Sequence, residues 1–451
     1  MDEGVRLSEV PKREAFLLSV AMIVRDEAEK LPRALTSVRD FADEIVVVDT
    51  GSADDTSEIA AAHGAQVFSF PWRGSFAEAR NASLERCRGR WILVLDADEW
   101  LTTESGPALR ELLEREKRTP CCEAYQVRIV NLVADAMGEP RRLAHFAVRL
   151  FRNNPAYRFT GRVHEQILPS ILQHASSRHS YVVGTAPIEL LHDGYKHVAK
   201  DKVMRNLELL EREWAEDPAN PFTAYNLGVE YLRLKDTERA VEFLERSIAL
   251  SPPRMAYLPL AYRYLAHAYA SKGDLSNALK AATRGTETFP DAPDLWHLRG
   301  DLAWRAKDVP AARQAYLAAY ALGNPPPGYP HEEGLGTYRT AFALGRLNEE
   351  EGNAEGAVTW YMRALRHRSN DAKVLAALFR LVARTWGEEA LPRFVLTHLR
   401  AQDEDAWEFL VRLLKLLGHT RQAQALRREL RKREVKTAEK GGSGKPENSV
   451  P

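Results

Sequence analysis

Two carboxylates separated by one residue follow an apolar stretch in WILVLDADEW, residues 91–100. Asp96 and Asp98 stand at positions i and i+2, so in an extended segment their side chains point the same way. Neighbouring carboxylates repel each other and are costly to desolvate, so a compensating ligand is expected. Such oxygen ligands suit Mg²⁺ or Mn²⁺ held together with the phosphates of a substrate. Alone the pair is a weak motif, and a solvated strand end or a helix N-cap is the alternative interpretation.

The segments around this pair alternate between strand-like and helix-like patterns. Apolar stretches typical of buried strands lie at residues 16–24, 44–50, 65–70 and 91–96. Helix-like segments between them predict βαβ units, and hence an α/β domain with a mostly parallel, Rossmann-like sheet. Such sheets bind ligands at the carboxyl ends of their strands, where Asp49, Asp96 and Asp98 stand. The N-terminal part is therefore expected to bind a ligand next to these carboxylates.

From about residue 123 the pattern changes to shorter, partly alternating stretches. Those that predict strands are AYQVRIV (124–130), HFAVRLFR (145–152), YRFTGRVHEQIL (157–168) and IELLHDGY (188–195). An amphipathic helix follows them. We therefore expect an N-terminal tail over 1–15, the α/β domain over 16–200 and a connecting helix over 201–220.

Residues 221–432 are helical in pattern and repetitive. Each of four helix pairs has a small residue in its first helix and an alanine near the start of its second. These residues are Gly228, Ala266, Gly300 and Gly345 in the first helices, and Ala240, Ala278, Ala311 and Ala357 in the second. Small residues let paired helices approach closely, and stacked pairs bury a continuous core. The pattern resembles tetratricopeptide repeats and predicts an all-α solenoid, followed by a disordered tail over 433–451.

Charge and cysteine content narrow the class of protein. Lysine plus arginine equals aspartate plus glutamate at 63 each, so no bulk charge indicates nucleic acid as a partner. The three cysteines Cys87, Cys121 and Cys122 make no disulfide framework, which favours a reduced, cytoplasmic setting. The N-terminal stretch lacks the apolar centre of a signal peptide, and no apolar run approaches the ~20 residues of a membrane-spanning helix.

The order of the motifs resembles a family 2 glycosyltransferase of GT-A fold over about residues 17–195. The matching stretches are SVAMIVRDEAEKLPRAL, EIVVVDTGSADDT and FAEARNASLERCRGRWILVLDADEW. The motifs GRVHEQI (161–167) and LHDGY (191–195) are similar to those of one subgroup of this family. That subgroup includes bacteriocin-type peptide S-glycosyltransferases and lipopolysaccharide-core glucosyltransferases. The Q-x-x-R-W motif and membrane helices of processive polysaccharide synthases are absent from the sequence, so synthesis of a long polymer is not expected.

The resemblance implies a metal site and a diphosphate site. Asp98 would ligate Mn²⁺ or Mg²⁺, with Asp96 beside the ribose or behind the metal ligands. His192 is a candidate further metal ligand, because neutral imidazole binds such metals. Arg80 would reach the diphosphate or brace the two aspartates. An exposed helix arginine and a structural histidine are the alternatives for Arg80 and His192.

The resemblance also implies a nucleotide pocket and a catalytic base. Asp49 would accept a hydrogen bond from the base of a nucleotide-sugar donor, a UDP-sugar by family habit. Arg25 and Glu27 would line the same pocket, although a solvated helix start explains them as well. In an inverting reaction a carboxylate deprotonates the acceptor, and Asp193 and Glu165 are the two candidates.

Three readings of function remain at this stage. The first is a hexosyltransferase whose acceptor, a protein or peptide, is recruited by the repeats. The second is a repeat scaffold whose transferase domain has lost activity. The third is a transferase acting on a cell-surface glycan or lipid-linked acceptor. A sugar-1-phosphate nucleotidyltransferase is disfavoured, because VRDEAEKLP after the first strand holds no glycine to cradle a triphosphate.

Overall fold

The computed structural model describes residues 16–134, 140–175, 181–193, 200–253, 255–326, 328–399 and 403–441. The predicted tail at 1–15 and the last ten residues lie outside this set. The chain divides into two compact units. The first comprises residues 1–285 with 326–333, and the second comprises 286–325 with 334–451.

The first unit is built on one mixed sheet. Its strands are β1 (Leu18–Val24), β2 (Glu44–Asp49), β3 (Gln66–Ser69), β4 (Trp91–Val94), β5 (Glu99–Leu101), β6 (Cys122–Ala134), β7 (Pro140–Arg152), β8 (Tyr181–His192) and β9 (His331–Glu332). The strand order is β3-β2-β1-β4-β7-β6-β8-β5, and β9 pairs with β7. The predicted parallel arrangement is present in β3-β2-β1-β4, whereas β7 runs antiparallel to β4 and to β6. The sheet is therefore mixed rather than mostly parallel.

Helices cover both faces of this sheet, which explains the continuous apolar strands. In β4 and the residue after it, Leu93 and Leu95 pack into one buried cluster, while Ile92 and Val94 pack into the cluster on the other face. A strand buried on both faces has no reason to alternate with polar residues. The helices of this part are α1 (Leu31–Val38), α2 (Thr56–Ala62), α3 (Phe76–Leu84), α4 (Ser105–Arg118) and α5 (Leu168–His174).

The prediction of a strand over 157–168 is wrong. The segment is an irregular turn closed by an isolated bridge between Thr160 and Gln166. Gly161 and His164 have φ angles of 97° and 55°, in the left-handed region that a β-strand cannot use. The side chains of the turn are therefore presented on a loop.

Helices of the first unit continue with α6 (Lys200–Glu216), α7 (Pro221–Arg233), α8 (Thr237–Leu250), α9 (Leu258–Ser271) and α10 (Leu275–Thr288). The division between the units falls within α10, so the helices that start at Pro221 begin in the same unit as the sheet. Val163 of the turn packs in one buried cluster with Leu210 of α6 and Leu227 of α7. The first repeat therefore shares a core with the sheet domain.

The second unit is all helical. Its helices are α11 (Pro293–Arg305), α12 (Val309–Leu322), α13 (Tyr338–Glu350), α14 (Ala354–His367), α15 (Ala372–Trp386), α16 (Leu391–His398), α17 (Glu404–Leu416) and α18 (Thr420–Gly441), with a short 3-10 helix at Glu388–Ala390. The last helix thus continues past residue 432, where the helical part was predicted to end. In the described residues no helix has the length and apolarity needed to cross a membrane.

The small residues of the repeats lie where helices touch. A Cβ atom on Gly228 would lie 2.6 Å from Leu244, and one on Gly300 would lie 2.6 Å from Tyr316. Ala240, Ala278 and Ala357 are fully buried, but in the third pair the buried alanine at this register is Ala312 and not the predicted Ala311. The helix pairs therefore close over small side chains, as the repeat pattern indicates.

Candidate active site

Sheet pairing brings the two aspartates next to the end of β8. The chain turns after β4, and the short strand β5 then pairs antiparallel with β8, placing Glu99 opposite His192. The backbone N–H of Asp193 points to the carbonyl oxygen of Asp98 at 3.4 Å. Two segments nearly a hundred residues apart in sequence thus meet at one edge of the site.

Asp98 and His192 are arranged as neighbouring ligands of one ion. His192 Nε2 lies 3.3 Å from Asp98 Oδ2, and both side chains are largely buried. Two adjacent ligands at the ~2.1 Å typical of Mg²⁺ in octahedral geometry are roughly 3 Å apart. Without the ion, burial opposes ionisation of Asp98, but the hydrogen bond and charge of His192 lower the pKa of Asp98 below its usual value.

Asn131 fixes the orientation of the imidazole. Its Nδ2 donates to the carbonyl of Leu143 at 3.1 Å, so its Oδ1 faces His192 Nδ1 at 2.6 Å. With both ring nitrogens protonated, Nε2–H donates to Asp98. If a cation displaced the Nε2 proton, the proton kept on Nδ1 by Asn131 would leave the Nε2 lone pair free to bind that cation. The residues present therefore fit a divalent cation held by Asp98 and His192.

Two buried arginines compensate Asp96. Arg80 Nη2 donates to Asp96 Oδ1 at 2.6 Å, and Arg149 Nη2 donates to Asp96 Oδ2 at 3.0 Å. Arg149 Nη2 also lies 2.9 Å from Glu99 Oε1. Although burial opposes ionisation, the charges of Arg80 and Arg149 hold the pKa of Asp96 well below its usual range. Because both oxygens of Asp96 accept arginine hydrogen bonds, Asp96 would stand behind the candidate metal ligands Asp98 and His192 instead of binding the cation.

Arg80 links α3 to the turn after β7. Its Nε donates to Glu165 Oε1, and only 8% of its side chain is exposed. Burial opposes the charged form, but the carboxylates of Asp96 and Glu165 raise the pKa of Arg80 further above its usual value. The predicted candidate base Glu165 is therefore already engaged with a permanent cation.

Several buried polar atoms around these residues have no hydrogen-bond partner within the described part of the chain. They are Arg80 Nη1, Arg149 Nε and Asp193 Oδ1. Buried polar groups are nearly always hydrogen-bonded, so such a cluster indicates that a ligand completes the site. The two arginine N–H groups suit an anionic ligand, and the oxygen of Asp193 suits a group that gives up a proton.

Asp193 contacts Arg33 through its side chain and Asp98 through its backbone. Arg33 Nη2 donates to Asp193 Oδ2 at 2.6 Å, and the guanidinium of Arg33 stacks 3.5 Å above the ring of Trp100. Lys30 Nζ lies 3.9 Å from Asp98 Oδ2 and 3.7 Å from Glu27 Oε2. Glycine and tyrosine of the LHDGY motif lie outside the described residues.

The predicted nucleotide-pocket residues surround the loop after β2. Asp49 Oδ1 accepts from the N–H groups of Gly51 and Ser52, each at 2.8 Å, and Oδ2 accepts from Ser57. Burial opposes its ionisation, yet these donors lower the pKa of Asp49. A carboxylate has about four acceptor positions, so three donors leave one for a base.

Arg25 and Glu27 differ in their surroundings. Arg25 is half exposed and lies 3.7 Å from Asp26. The backbone N–H of Glu27 donates to Thr56 Oγ1 at 2.8 Å, and burial raises the pKa of its carboxyl above the usual value, opposed by Lys30. Glu27 is therefore linked to Asp98 through Lys30, while Arg25 is exposed and pairs with its neighbour Asp26.

Sequence reasoning missed several of these side chains. Arg149, Asn131, Arg33 and Lys30 contact the predicted residues directly or through one intermediate. Arg149 is a charged residue inside the apolar strand HFAVRLFR, and this position indicates a buried partner, since buried strand positions rarely hold an unpaired charge. Lys30 and Arg33 stand in an ordinary helix start, where no feature of the sequence distinguishes them from solvated residues.

Residues 19–180 match the family described as Glycosyl transferase family 2. Residues 223–254 and 265–327 match tetratricopeptide repeats. The chain is a family 2 glycosyltransferase that carries tetratricopeptide repeats. Within this glycosyltransferase, Asp49, Arg80, Asp96, Asp98 and Glu165 lie inside the family match. His192 and Asp193 lie just beyond it.

Two curated relatives support this assignment. The glycosyltransferase is 32% identical over 317 residues to TPR repeat-containing protein Synpcc7942_0270 of Synechococcus elongatus, covering 67% of this chain and 75% of that protein. It is 28% identical over 244 residues to the SPbeta prophage-derived glycosyltransferase SunS of Bacillus subtilis, covering 52% of this chain and 54% of SunS. The latter match thus spans about half of each protein.

Among solved structures, the glycosyltransferase resembles the crystal structure of MamA at 20% identity with a TM-score of 0.33. The match covers 39% of this chain and 93% of MamA. Likeness at this level has no bearing on function.

Proposed function

We propose that this protein transfers a sugar from a nucleotide-sugar donor, a UDP-sugar, to a protein or peptide acceptor with inversion at the anomeric carbon. The observation that carries the proposal is the pairing of Asp98 with His192 at 3.3 Å beside buried, unpartnered donor atoms of Arg80 and Arg149. Such a site offers ligands to a divalent cation and positive charge to a diphosphate. The family assignment adds that sugar transfer is the chemistry of this domain.

Positive charge at the site favours departure of the nucleoside diphosphate. Asp98 and His192 would hold Mn²⁺ or Mg²⁺, which when bound supplies charge to the diphosphate oxygens. Arg80 Nη1 is buried without a protein partner and is fixed through its other nitrogens by Asp96 and Glu165. An N–H group held in this way does not have to reorient as negative charge develops on the diphosphate. That is the condition for electrostatic stabilisation of a transition state.

Asp193 is the better candidate for the base. Asp193 and Glu165 each give one oxygen to an arginine, Oδ2 to Arg33 and Oε1 to Arg80. The difference is Asp193 Oδ1, which is buried and has no hydrogen-bond partner among the described residues, so we assign the base to Asp193 and the positioning of Arg80 to Glu165. In the proposed reaction the acceptor heteroatom forms a bond to the anomeric carbon, the bond from that carbon to the diphosphate breaks, and Asp193 takes the proton of the acceptor.

The repeats are the reason to propose a polypeptide acceptor. Tetratricopeptide solenoids use extended surfaces to bind other chains. Tyr231 of α7 and Tyr262 of α9 are buried and pack the core. In the first unit Tyr225 is half-buried and stands 5.1 Å from the ring of Tyr257 and 6.3 Å from that of Tyr264. Such clustered, partly exposed rings suit contact with a polypeptide.

The test uses the full-length protein and a panel of nucleotide sugars with Mn²⁺, with Mg²⁺ or with chelator. Metal-dependent release of the nucleoside diphosphate identifies the donor. Radiolabel from that donor is then followed in a lysate into protein and into the lipid extract. Label in protein supports the proposal, label in lipid contradicts the acceptor class, and no release with any donor contradicts catalysis and favours an inactive scaffold.

A further inference from the structure

A buried glutamate interrupts the repeat pattern in the first helix pair. Glu230 stands two residues after Gly228, the small residue of that pair. At the same register the next three pairs have Ala268, Leu302 and Leu347, all buried. The residue Glu230 is fully buried as well, so a carboxylate occupies a core position that is apolar in the other repeats.

Desolvating a carboxylate costs several kcal/mol, so this departure requires compensation. Glu230 Oε1 accepts from Arg233 Nη1 at 2.9 Å and from Asn206 Nδ2 at 3.3 Å. His164 Nε2, in the turn after β7, lies 3.9 Å from the same oxygen, which is the range of an ion pair when the imidazole is protonated. Glu230 Oε2 is buried and has no hydrogen-bond partner among the residues that the structure describes. The carboxylate is therefore directed at the transferase turn without being fully satisfied by the repeat.

The turn that Glu230 faces carries a conformation that needs support. His164 has φ at 55°, a left-handed angle that is uncommon for residues with a side chain. The next residue is Glu165, which pairs with Arg80. Any relaxation of His164 would rotate the following peptide and move Glu165 away from that arginine.

Other contacts hold the rest of the same turn. Arg162 N–H donates to Glu213 Oε2 of α6 at 2.8 Å, and Glu213 Oε1 accepts from Thr223 of α7 at 2.6 Å. The N–H of Phe76, the first residue of α3, donates to the carbonyl of Arg162 at 2.9 Å. The first repeat and the connecting helix thus hold both the turn and the helix that bears Arg80.

We propose that Glu230, although it lies in a repeat helix, is a positioning residue for the transfer reaction. It holds His164 so that Glu165 fixes Arg80 against Asp96 and directs the free Nη1 of Arg80 into the donor site. The first repeat is on this account a part of the catalytic unit. The proposal rests on the proposed function of Arg80 at the donor diphosphate.

The first test separates positioning from packing. Glu230→Leu gives the first repeat the apolar residue that other repeats have but removes an acceptor of Asn206, so unfolding in urea should stay cooperative with a midpoint near that of wild type. We expect kcat to fall about tenfold, because displacement of a catalytic group by a fraction of an ångström has effects of this order, while the donor KM stays within about twofold. A stable Glu230→Leu protein with unchanged kcat would overturn the proposal.

The second test places the effect at His164 and covers the case in which Glu230→Leu does not fold. Asparagine adopts the left-handed conformation readily, so His164→Asn should keep the turn without help from Glu230. Glu230→Gln should then reduce kcat about tenfold in the wild-type background and less than about threefold in the His164→Asn background. Equal losses in both backgrounds would contradict the link.

Hydrogen exchange distinguishes failure of this inference from failure of the proposed function. Glu230→Gln should speed exchange at Thr160, Gln166 and Phe76, whether or not a donor has been found. Unchanged exchange there would overturn the positioning role even if the wild-type enzyme transfers sugar. Glu349→Gln is the matched control, since Glu349 pairs with Arg384 at 2.9 Å in the second unit and should leave both exchange and kinetics unchanged.

Discussion

His192 Nε2 lies 3.3 Å from Asp98 Oδ2, although 94 positions separate the two residues in sequence. The pairing of β5 with β8 creates this relationship, and Asn131 sets the tautomer of the imidazole. The short distance between a carboxylate and an imidazole with a directed lone pair is what a shared cation requires. The proposed chemistry depends on this pair, on the arginines behind it and on Asp193 beside it.

Asn131 should control metal affinity without touching the metal. Asn131→Leu removes the acceptor of His192 Nδ1, so we expect the apparent affinity for Mn²⁺ in donor hydrolysis to fall roughly 10- to 100-fold. Saturating Mn²⁺ should restore most of the rate. Gln126→Leu on the same strand, where Gln126 contacts Thr185 at 2.8 Å, is the control and should behave as wild type. An unchanged Mn²⁺ titration for Asn131→Leu would argue against His192 as a ligand.

Asp193 and Glu165 should differ in their kinetic effects. Asp193→Asn removes the proposed base and should reduce transfer to the acceptor by about 100-fold or more, within the usual size of general-base effects. Binding of the nucleoside diphosphate should persist. Glu165→Gln releases Arg80 and should weaken both transfer and hydrolysis of the donor by water. If Asp193→Asn kept near-normal transfer while Glu165→Gln abolished it, the two roles would have to be exchanged.

Arg149 should matter for stability as well as for chemistry. Arg149→Met leaves the buried Glu99 and the partly buried Asp96 with one cation fewer, and we expect the free energy of unfolding to fall by about 3–5 kcal/mol. Adding Glu99→Gln to the Arg149→Met variant should recover part of that loss, because it removes the carboxylate that lost its cation. Arg246→Met is the control, because its pair with Glu242 at 3.0 Å is half exposed and should contribute less than about 1 kcal/mol. Denaturation in urea gives the free energy of unfolding of the three variants. A loss below about 1 kcal/mol for Arg149→Met would contradict the role of Arg149 in compensating the charges of Asp96 and Glu99.

Truncation should reveal where the catalytic unit ends. A chain ending at residue 220 loses α7 and exposes Val163 and Leu210 of the shared core, so we expect it to unfold without cooperativity. A chain ending at residue 290 keeps α6 to α10 and should unfold cooperatively, although it lacks β9. Circular dichroism during a urea titration gives the comparison. A cooperative fold for 1–220 would show that the repeats are a separable domain.

The fold could be predicted from sequence where local pattern and tertiary environment agree. Strands buried on both faces, such as β1 and β4, have apolar runs that carry their own signal. The turn at residues 157–168 has the composition of a strand, and only its contacts with α6 and α7 decide the conformation of His164. Strand β5 has three residues and so leaves no periodicity to detect. Its pairing with β8 is long-range information that a single sequence lacks.

The site could be predicted in part. Asp96 and Asp98 stand out by spacing, and His192 and Asp193 by a motif of the family. The arginine that balances Asp96 from β7 could not be assigned, because an isolated Arg149 in a strand gives no indication of which carboxylate it meets. The same holds for Glu230, whose role emerges only when repeat register and the transferase turn are seen together.

Binding of UDP to the full-length protein with and without Mn²⁺, followed by calorimetry, tests the central claim most directly. Wild-type protein should bind UDP with Mn²⁺ present and at least about tenfold more weakly in chelator, since Asp98 and His192 would hold an ion that supplies positive charge to the diphosphate. Asp98→Asn should unfold cooperatively at a urea concentration near that of wild type, yet lose the Mn²⁺-dependent part of the affinity. UDP affinity that is identical with Mn²⁺, with chelator and in Asp98→Asn would contradict the metal-dependent donor site.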